Sequence, residues 1–176
     1  MKINHPLMHN NFLKSDMSAV RKLIKDKNLV LTQSKKVLEF EKKWSRWLGV
    51  KYSVFVNSGS SANFISMLIL KSLSTKKKEI IVPSLTWVSD INSVIMSGFK
   101  PVFVDIDPRN LCMSEKDIIK KVNKNTLAVF LTHAQGFNGL TSKLLAFLKK
   151  RKILLIEDVC ESHGATFKKK KIRNLW

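Results

Sequence analysis

The stretch Asn57-Ser58-Gly59-Ser60-Ser61-Ala62-Asn63 joins a glycine that permits a tight turn to small residues whose backbone N–H groups can approach an anion. It runs straight into an apolar stretch read as a helix. The partial positive charge of the helix start and the serine hydroxyls would then converge on one point, which is the chemistry of a phosphate seat. The stretch matches neither the dinucleotide fingerprint nor the Walker pattern, and alone it reads as an ordinary serine-capped strand–helix turn. Trp87, in Pro83-Ser84-Leu85-Thr86-Trp87, offers a face that can stack on a planar ring. Alone it reads as a core residue, because it shares a helical stripe with Ile91, Val94 and Ile95. Glu157 and Asp158 follow directly on the apolar run Ile153-Leu154-Leu155-Ile156, and Cys160, Glu161 and His163 come soon after.

Three further groups carry less. Asp105-Ile106-Asp107-Pro108 sets two carboxylates one residue apart, but the proline favours a turn in which Asp107 bonds its own backbone over a metal pair. His133 suits acid–base chemistry and a satisfied polar role equally, and the sequence leaves both open. Cys160 and His163 lack the second pair that a zinc site needs.

A phosphate seat, a stackable aromatic and a carboxylate at a strand end suit a phosphorylated aromatic cofactor with a protonatable ring nitrogen. An aspartate paired with that nitrogen keeps it protonated, so that the ring can accept electrons from a substrate carbanion. Pyridoxal 5′-phosphate (PLP) fits this description best.

These residues need a scaffold that brings strand ends together. Met17, Val20 and Ile24 predict a first helix, and Val37, Phe40, Trp44, Trp47 and Leu48 a second that stops at Gly49. Strands are then expected over 52–57, 79–83, 101–104, 127–132 and 152–156. Between them come helices over 61–73, 86–97, from Ser114 with Asp117 as its capping partner, and over 141–149. The helix at 61–73 is apolar nearly all round, which predicts burial. Alternation of this kind implies an α/β fold with a mostly parallel sheet and helices on both faces. Ligands of such sheets lie at the carboxyl ends of the strands, where the candidate residues sit. Residues 1–50 read as an N-terminal helical segment and 51–176 as part of a cofactor-binding large domain.

The 176 residues are 44% hydrophobic, enough for one sizeable core. No run of eighteen apolar residues exists, Met1 to Pro6 lacks the apolar core of a signal peptide, and there are only two cysteines, Cys112 and Cys160. A reducing, cytoplasmic setting without membrane contact is expected. The net charge of +19 gathers at 76–78, 149–152 and 168–171 without interleaved aromatics. Solvated faces are the expected meaning, with no nucleic-acid partner.

The words FVNSGSSAN (55–63), IVPSLTWVSD (81–90), PVFVDIDP (101–108) and IEDVCESHGA (156–165) occur here in one order, and LTQSKKVLEFEKKW (31–44) precedes them. As a set they resemble the DegT/DnrJ/StrS family of PLP-dependent nucleotide-sugar aminotransferases over nearly the whole chain. The resemblance implies a large domain of the aspartate-aminotransferase type. By it, Ser60 and Ser61 would hold the cofactor phosphate, Trp87 would stack on the pyridine ring, Asp158 would pair with its nitrogen, and Glu161 would bond near its hydroxyl. The expected reaction moves an amino group from glutamate to a keto-sugar nucleotide in glycan synthesis, within a homodimer whose sites draw on both subunits.

Departures from the family pattern are also plain. The family attaches its cofactor to a lysine downstream of the 156–165 word, and its C-terminal small domain follows. The chain is expected to lack both and to be inactive alone, with Lys168 to Lys171 in a surface turn. Usual glycines are replaced by Ser34, Lys169 and Arg173. A second enzymatic expectation is a sugar 3-dehydratase, whose relatives carry histidine in place of that lysine. From a different class, a basic polyanion-binding protein or an inactive remnant is the remaining alternative.

Overall fold

The computed structural model describes residues 10–73 and 76–172. Arg173, Trp176 and the Met1–Pro6 start lie outside the described residues. Two helices, α1 (Lys14–Ile24) and α2 (Lys35–Leu48), precede α3 (Gly59–Leu73). There follow β1 (Glu79–Pro83), α4 (Val88–Met96), β2 (Lys100–Val104), α5 (Glu115–Lys121), β3 (Thr126–Thr132), α6 (Ser142–Arg151) and β4 (Leu154–Asp158). A hairpin of β5 (Thr166–Phe167) and β6 (Lys170–Lys171) ends the described chain.

The four long strands form one parallel sheet in the order β2-β1-β3-β4. The central strands are near-continuous apolar runs, EIIVP and TLAVFLT, as strands covered on both faces must be. On one face Ile81, Val129 and Leu131 pack with Ile118 of α5 and with Leu144 and Leu148 of α6. On the other, Ile80, Val82 and Phe130 pack with Met67 and Leu70 of α3 and Val94 of α4. Helices thus cover both faces, as the alternation predicts.

Local chemistry sets the boundaries. Thr141 caps α6 by accepting the Leu144 N–H at 3.0 Å, and Ser114 caps α5 by accepting that of Asp117 at 3.3 Å. Gly49 ends α2 at φ 77°, a left-handed conformation that glycine adopts at no steric cost. Ser34, standing where the family usually has glycine, is the extended N-cap of α2 and needs no positive φ.

Two expectations are corrected. Residues 52–57 form no strand and belong to no described sheet. No described strand runs beside them, and backbone groups without a neighbour cannot form a ladder. The segment is held instead by the Phe55 N–H on Glu41 Oε1 (2.8 Å) and by Ser45 with Ser53 (2.8 Å), while Tyr52 and Val54 stay exposed. The all-round apolar α3 is buried on one side only: Ile65, Leu68, Ile69 and Leu73 face outward among the described residues. The helix expected from Met17, Val20 and Ile24 is α1, and the face they share is exposed.

Lys168 and Lys169 form the two-residue loop of the β5–β6 hairpin at φ 50° and 63°, the surface turn expected of them. Positive φ at both central positions is what a type I′ turn requires and what a lysine side chain resists. K168N/K169G is therefore expected to raise stability by about 1 kcal/mol, read from a urea melt. An unchanged or lowered midpoint would contradict this account of the loop.

Candidate functional site

The carboxyl ends of β1, β3 and β4 open into a cavity of about 470 Å³. Its wall includes Ser60 at the start of α3, Trp87, Thr132 at the end of β3, and Asp158 and Glu161 at and beyond the end of β4. A parallel sheet forces this convergence, because every strand delivers its C-terminal residues to the same edge.

Ser58 precedes α3 and caps it: its hydroxyl accepts the Ser61 N–H at 3.2 Å and its carbonyl the Ala62 N–H at 3.1 Å. The first turn of this fifteen-residue helix is directed at the cavity wall, where Gly59 and Ser60 lie. Ser60 lines the cavity. Ser61 does not, and its hydroxyl accepts a hydrogen bond from Ser58 at 3.1 Å. A Cβ on Gly59 would meet Cys160 Sγ at 3.3 Å, so the glycine lets α3 approach the β4 loop.

Trp87 corrects the core reading. It is the N-cap residue of α4 and 72% exposed, because α4 starts at Val88 and its apolar stripe begins only after the tryptophan has left the helix face. The indole stands free at the cavity mouth.

Asp158 is the last residue of β4 and only 9% exposed. Both its oxygens are held: Oδ1 accepts the Cys160 N–H at 2.9 Å and Oδ2 the Asn63 side-chain amide at 3.2 Å. The same amide reaches Asp90 Oδ1 at 2.7 Å. Asp90, wholly buried, also accepts Thr132 Oγ1 at 2.8 Å and Thr86 Oγ1 on its other oxygen. Burial lifts the Asp90 carboxyl to about 6. The two threonine hydroxyls oppose the rise and the neighbouring Asp158 carboxylate adds to it. Asn63 and Asp90 were not singled out by the sequence reading, although each is a polar residue inside an otherwise apolar helical stripe.

Glu161 lies on the cavity wall, where its Oε2 accepts the Gln135 N–H at 2.8 Å. Cys160, also on that wall, has its thiol pushed up to about 11 by burial first and then by the Asp158 carboxylate. Only about one thiol in a thousand is ionised at pH 8 on that value. Alkylation by iodoacetamide at that pH is expected to be far slower than for a free cysteine, despite the exposure of Cys160. Modification at the free-thiol rate, followed by mass spectrometry, would refute this.

His133 resolves to the satisfied polar role. It is fully buried and absent from the cavity wall. Its Nδ1 accepts the Gly139 N–H at 3.1 Å, which leaves Nε2–H of the neutral ring to donate to Glu157 Oε1 at 3.0 Å. Asp107 forms the expected turn, accepting the Arg109 N–H at 3.0 Å, and the Arg109 guanidinium holds its carboxyl down at about 2. No cluster of three metal-ligating side chains occurs among the described residues, and none of their helices is long and apolar enough to cross a membrane.

Residues 12–175 match the model of the DegT/DnrJ/EryC1/StrS aminotransferase family. The chain belongs to this family. It is 30% identical over 172 residues to GDP-4-keto-6-deoxy-D-mannose 3-dehydratase of Escherichia coli O55:H7, covering 96% of this chain and 44% of that protein. The solved structure of the E. coli 3-dehydratase with bound hydrated PLP superposes with a TM-score of 0.87 at 30% identity, covering 97% of this chain and 44% of that one. The Helicobacter pylori aminotransferase PseC, of pseudoaminic acid biosynthesis, superposes at 0.84 with 27% identity, over 92% and 43%. The chain thus spans less than half the length of these relatives. Its α/β fold, a four-stranded parallel sheet between helices, is that of the large domain of PLP aminotransferases.

The cavity fits PLP on its own terms. A helix start with a serine suits the phosphate, a free indole face suits the ring, and a clamped carboxylate suits a protonated ring nitrogen.

Proposed function

We propose that this chain is the cofactor-holding part of a PLP-dependent enzyme that moves an amino group, with glutamate as donor, onto a keto-sugar nucleotide in polysaccharide biosynthesis. The observation that carries this is the meeting of Ser60, Trp87 and Asp158 at one edge of the sheet. Ser60 and the free first-turn amides of α3 bind the phosphate. The indole of Trp87 lies on the ring and shields it from water. Asp158 holds a proton on the ring nitrogen, and Glu161 bonds near the ring hydroxyl. Bound PLP supplies an electron sink for amino-group chemistry. The enzyme works as a cytoplasmic homodimer.

Among the described residues no lysine lines the cavity, and on this reading they hold the cofactor without a covalent link and do not transaminate. Pyridoxamine 5′-phosphate tests the binding, because it has no aldehyde to condense with surface lysines. Titration followed by tryptophan fluorescence is expected to saturate, with affinity at least tenfold lower in D158A and the quench largely lost in W87A. Equal affinity in wild type and D158A would sink the assignment.

A second reading is favoured by the likeness to a GDP-4-keto-6-deoxy-D-mannose 3-dehydratase along 96% of the chain. Both reactions use the same ring contacts. The residue at the cofactor-attachment position separates them: lysine there supports amino transfer, and histidine supports dehydration.

A further inference from the structure

Asp158 is held by an arrangement that the phosphate, ring and nitrogen contacts do not use. Its Oδ2 accepts from the Asn63 amide (3.2 Å), and that amide donates its other hydrogen to Asp90 Oδ1 (2.7 Å). Asp90 is anchored in turn by hydroxyls from two other segments, Thr86 before α4 and Thr132 at the end of β3. Asn63, Asp90 and Asp158 are each at most 9% exposed. The chain of contacts therefore links α3, α4, β3 and β4 and ends on Oδ2 of Asp158, a residue that lines the cavity.

The residue types matter. Two carboxylates this close repel one another, and in a poorly solvated site neither finds water to offset that repulsion. An amide between them satisfies one oxygen of each without carrying charge, and its two N–H groups point in fixed directions. A leucine would fill the space but leave both oxygens unpaired, and an aspartate would add a third carboxylate. Among the described residues, the titratable groups facing Asp158 are Asp90 on α4 and Cys160 and Glu161 beyond β4, and no lysine or arginine lines the cavity. The positive partner that this cluster lacks is the one that a protonated ring nitrogen would supply.

We propose that Asn63, braced by Asp90, is a positioning residue that aims Asp158 at the cofactor ring nitrogen and keeps its charge there. This rests on the cofactor assignment above. Asn63 itself lines the cavity, and the role assigned to it is exerted through the direction and charge of the Asp158 carboxylate.

The test uses the whole chain with pyridoxamine 5′-phosphate. Affinity comes from fluorescence, and the protonation of the bound ring comes from its absorbance across pH. N63L is expected to bind about tenfold more weakly, and its bound ring should lose the nitrogen proton about one pH unit lower than in wild type. N63Q, which restores a carboxamide, should recover part of both effects. N63D should bind progressively worse than wild type as the pH rises from 6 to 8. A residue that only packed α3 against α4 would lower the melting temperature of the ligand-free chain without moving the ring titration.

Wild-type affinity and wild-type ring titration in N63L, with D158N still weakened, would overturn the inference and leave the cofactor assignment standing. Absence of saturable binding in the wild type would remove that assignment and the inference with it. If N63L does not fold, N63Q and N63D decide: both binding and titrating as wild type would again overturn it.

Discussion

Phe130→Ala is expected to destabilise the chain by about 3–5 kcal/mol and to leave much of it unfolded at physiological temperature. Phe130 is fully buried at the middle of β3, the strand paired on both sides by β1 and β4. Its ring fills the layer between the sheet and the α3–α4 side, against Met67, Leu70 and Val94. Removing it takes away the transfer energy of the ring and leaves a cavity that flanking parallel strands cannot collapse to fill. The loss is a large share of the total stability of a domain of this size. Ile65→Ala or Leu73→Ala, on the outward face of α3, should cost well under 1 kcal/mol by comparison. Urea unfolding read by circular dichroism measures all three. A Phe130 variant within 1 kcal/mol of wild type would mean that this layer is not the core of the fold.

The second large effect is a pH dependence of stability that one buried carboxyl controls. Asp90 has its pKa raised from 3.8 to about 6 in the folded chain, chiefly by burial. The folded state therefore binds the proton more tightly than the unfolded one. The stabilisation from that proton is complete below pH 3.8 and is lost as the pH rises through 6. The loss should amount to about 2 kcal/mol, less than the full shift would give, because the surrounding protein relaxes around the charge and screens it. The Asp107, Glu115 and Glu39 carboxyls are lowered by their partners and act with the opposite sign. Their contributions are present above pH 4.5 and fade only below it, so they stay constant over pH 4.5–6.5, where most of the Asp90 loss falls. The gap in unfolding free energy between wild type and D90N should shrink in favour of the variant from pH 4.5 to 6.5, because D90N has no proton to lose. General charge effects of this basic chain cancel in that difference. Parallel pH profiles for the two proteins would show that Asp90 does not titrate in this range.

Much was legible in the residues themselves because its causes are local. The stop at Gly49, the caps at Ser114 and Thr141, the turn at Asp107 and the two central strands follow from side chains acting on backbone within a few positions. The phosphate, ring and carboxylate candidates were legible in kind, and the parallel alternation said which edge they would share. Tertiary structure decided what depends on distant neighbours. Residues 52–57 have the composition of a strand, yet strand structure requires a paired chain alongside, and no described strand runs there. Trp87 has the spacing of a core residue, but the helix begins one position after it, and the ring is left at the cavity mouth. Asn63 and Asp158 are 95 residues apart along the chain, and only the stacking of α3 and β4 on one sheet brings their side chains to 3.2 Å. The sequence by itself determined the kinds of chemistry available and the order of the elements, since both are set by residue type and spacing. The fold alone decided which polar groups are buried together, because that requires elements far apart in the chain to pack on the same sheet edge.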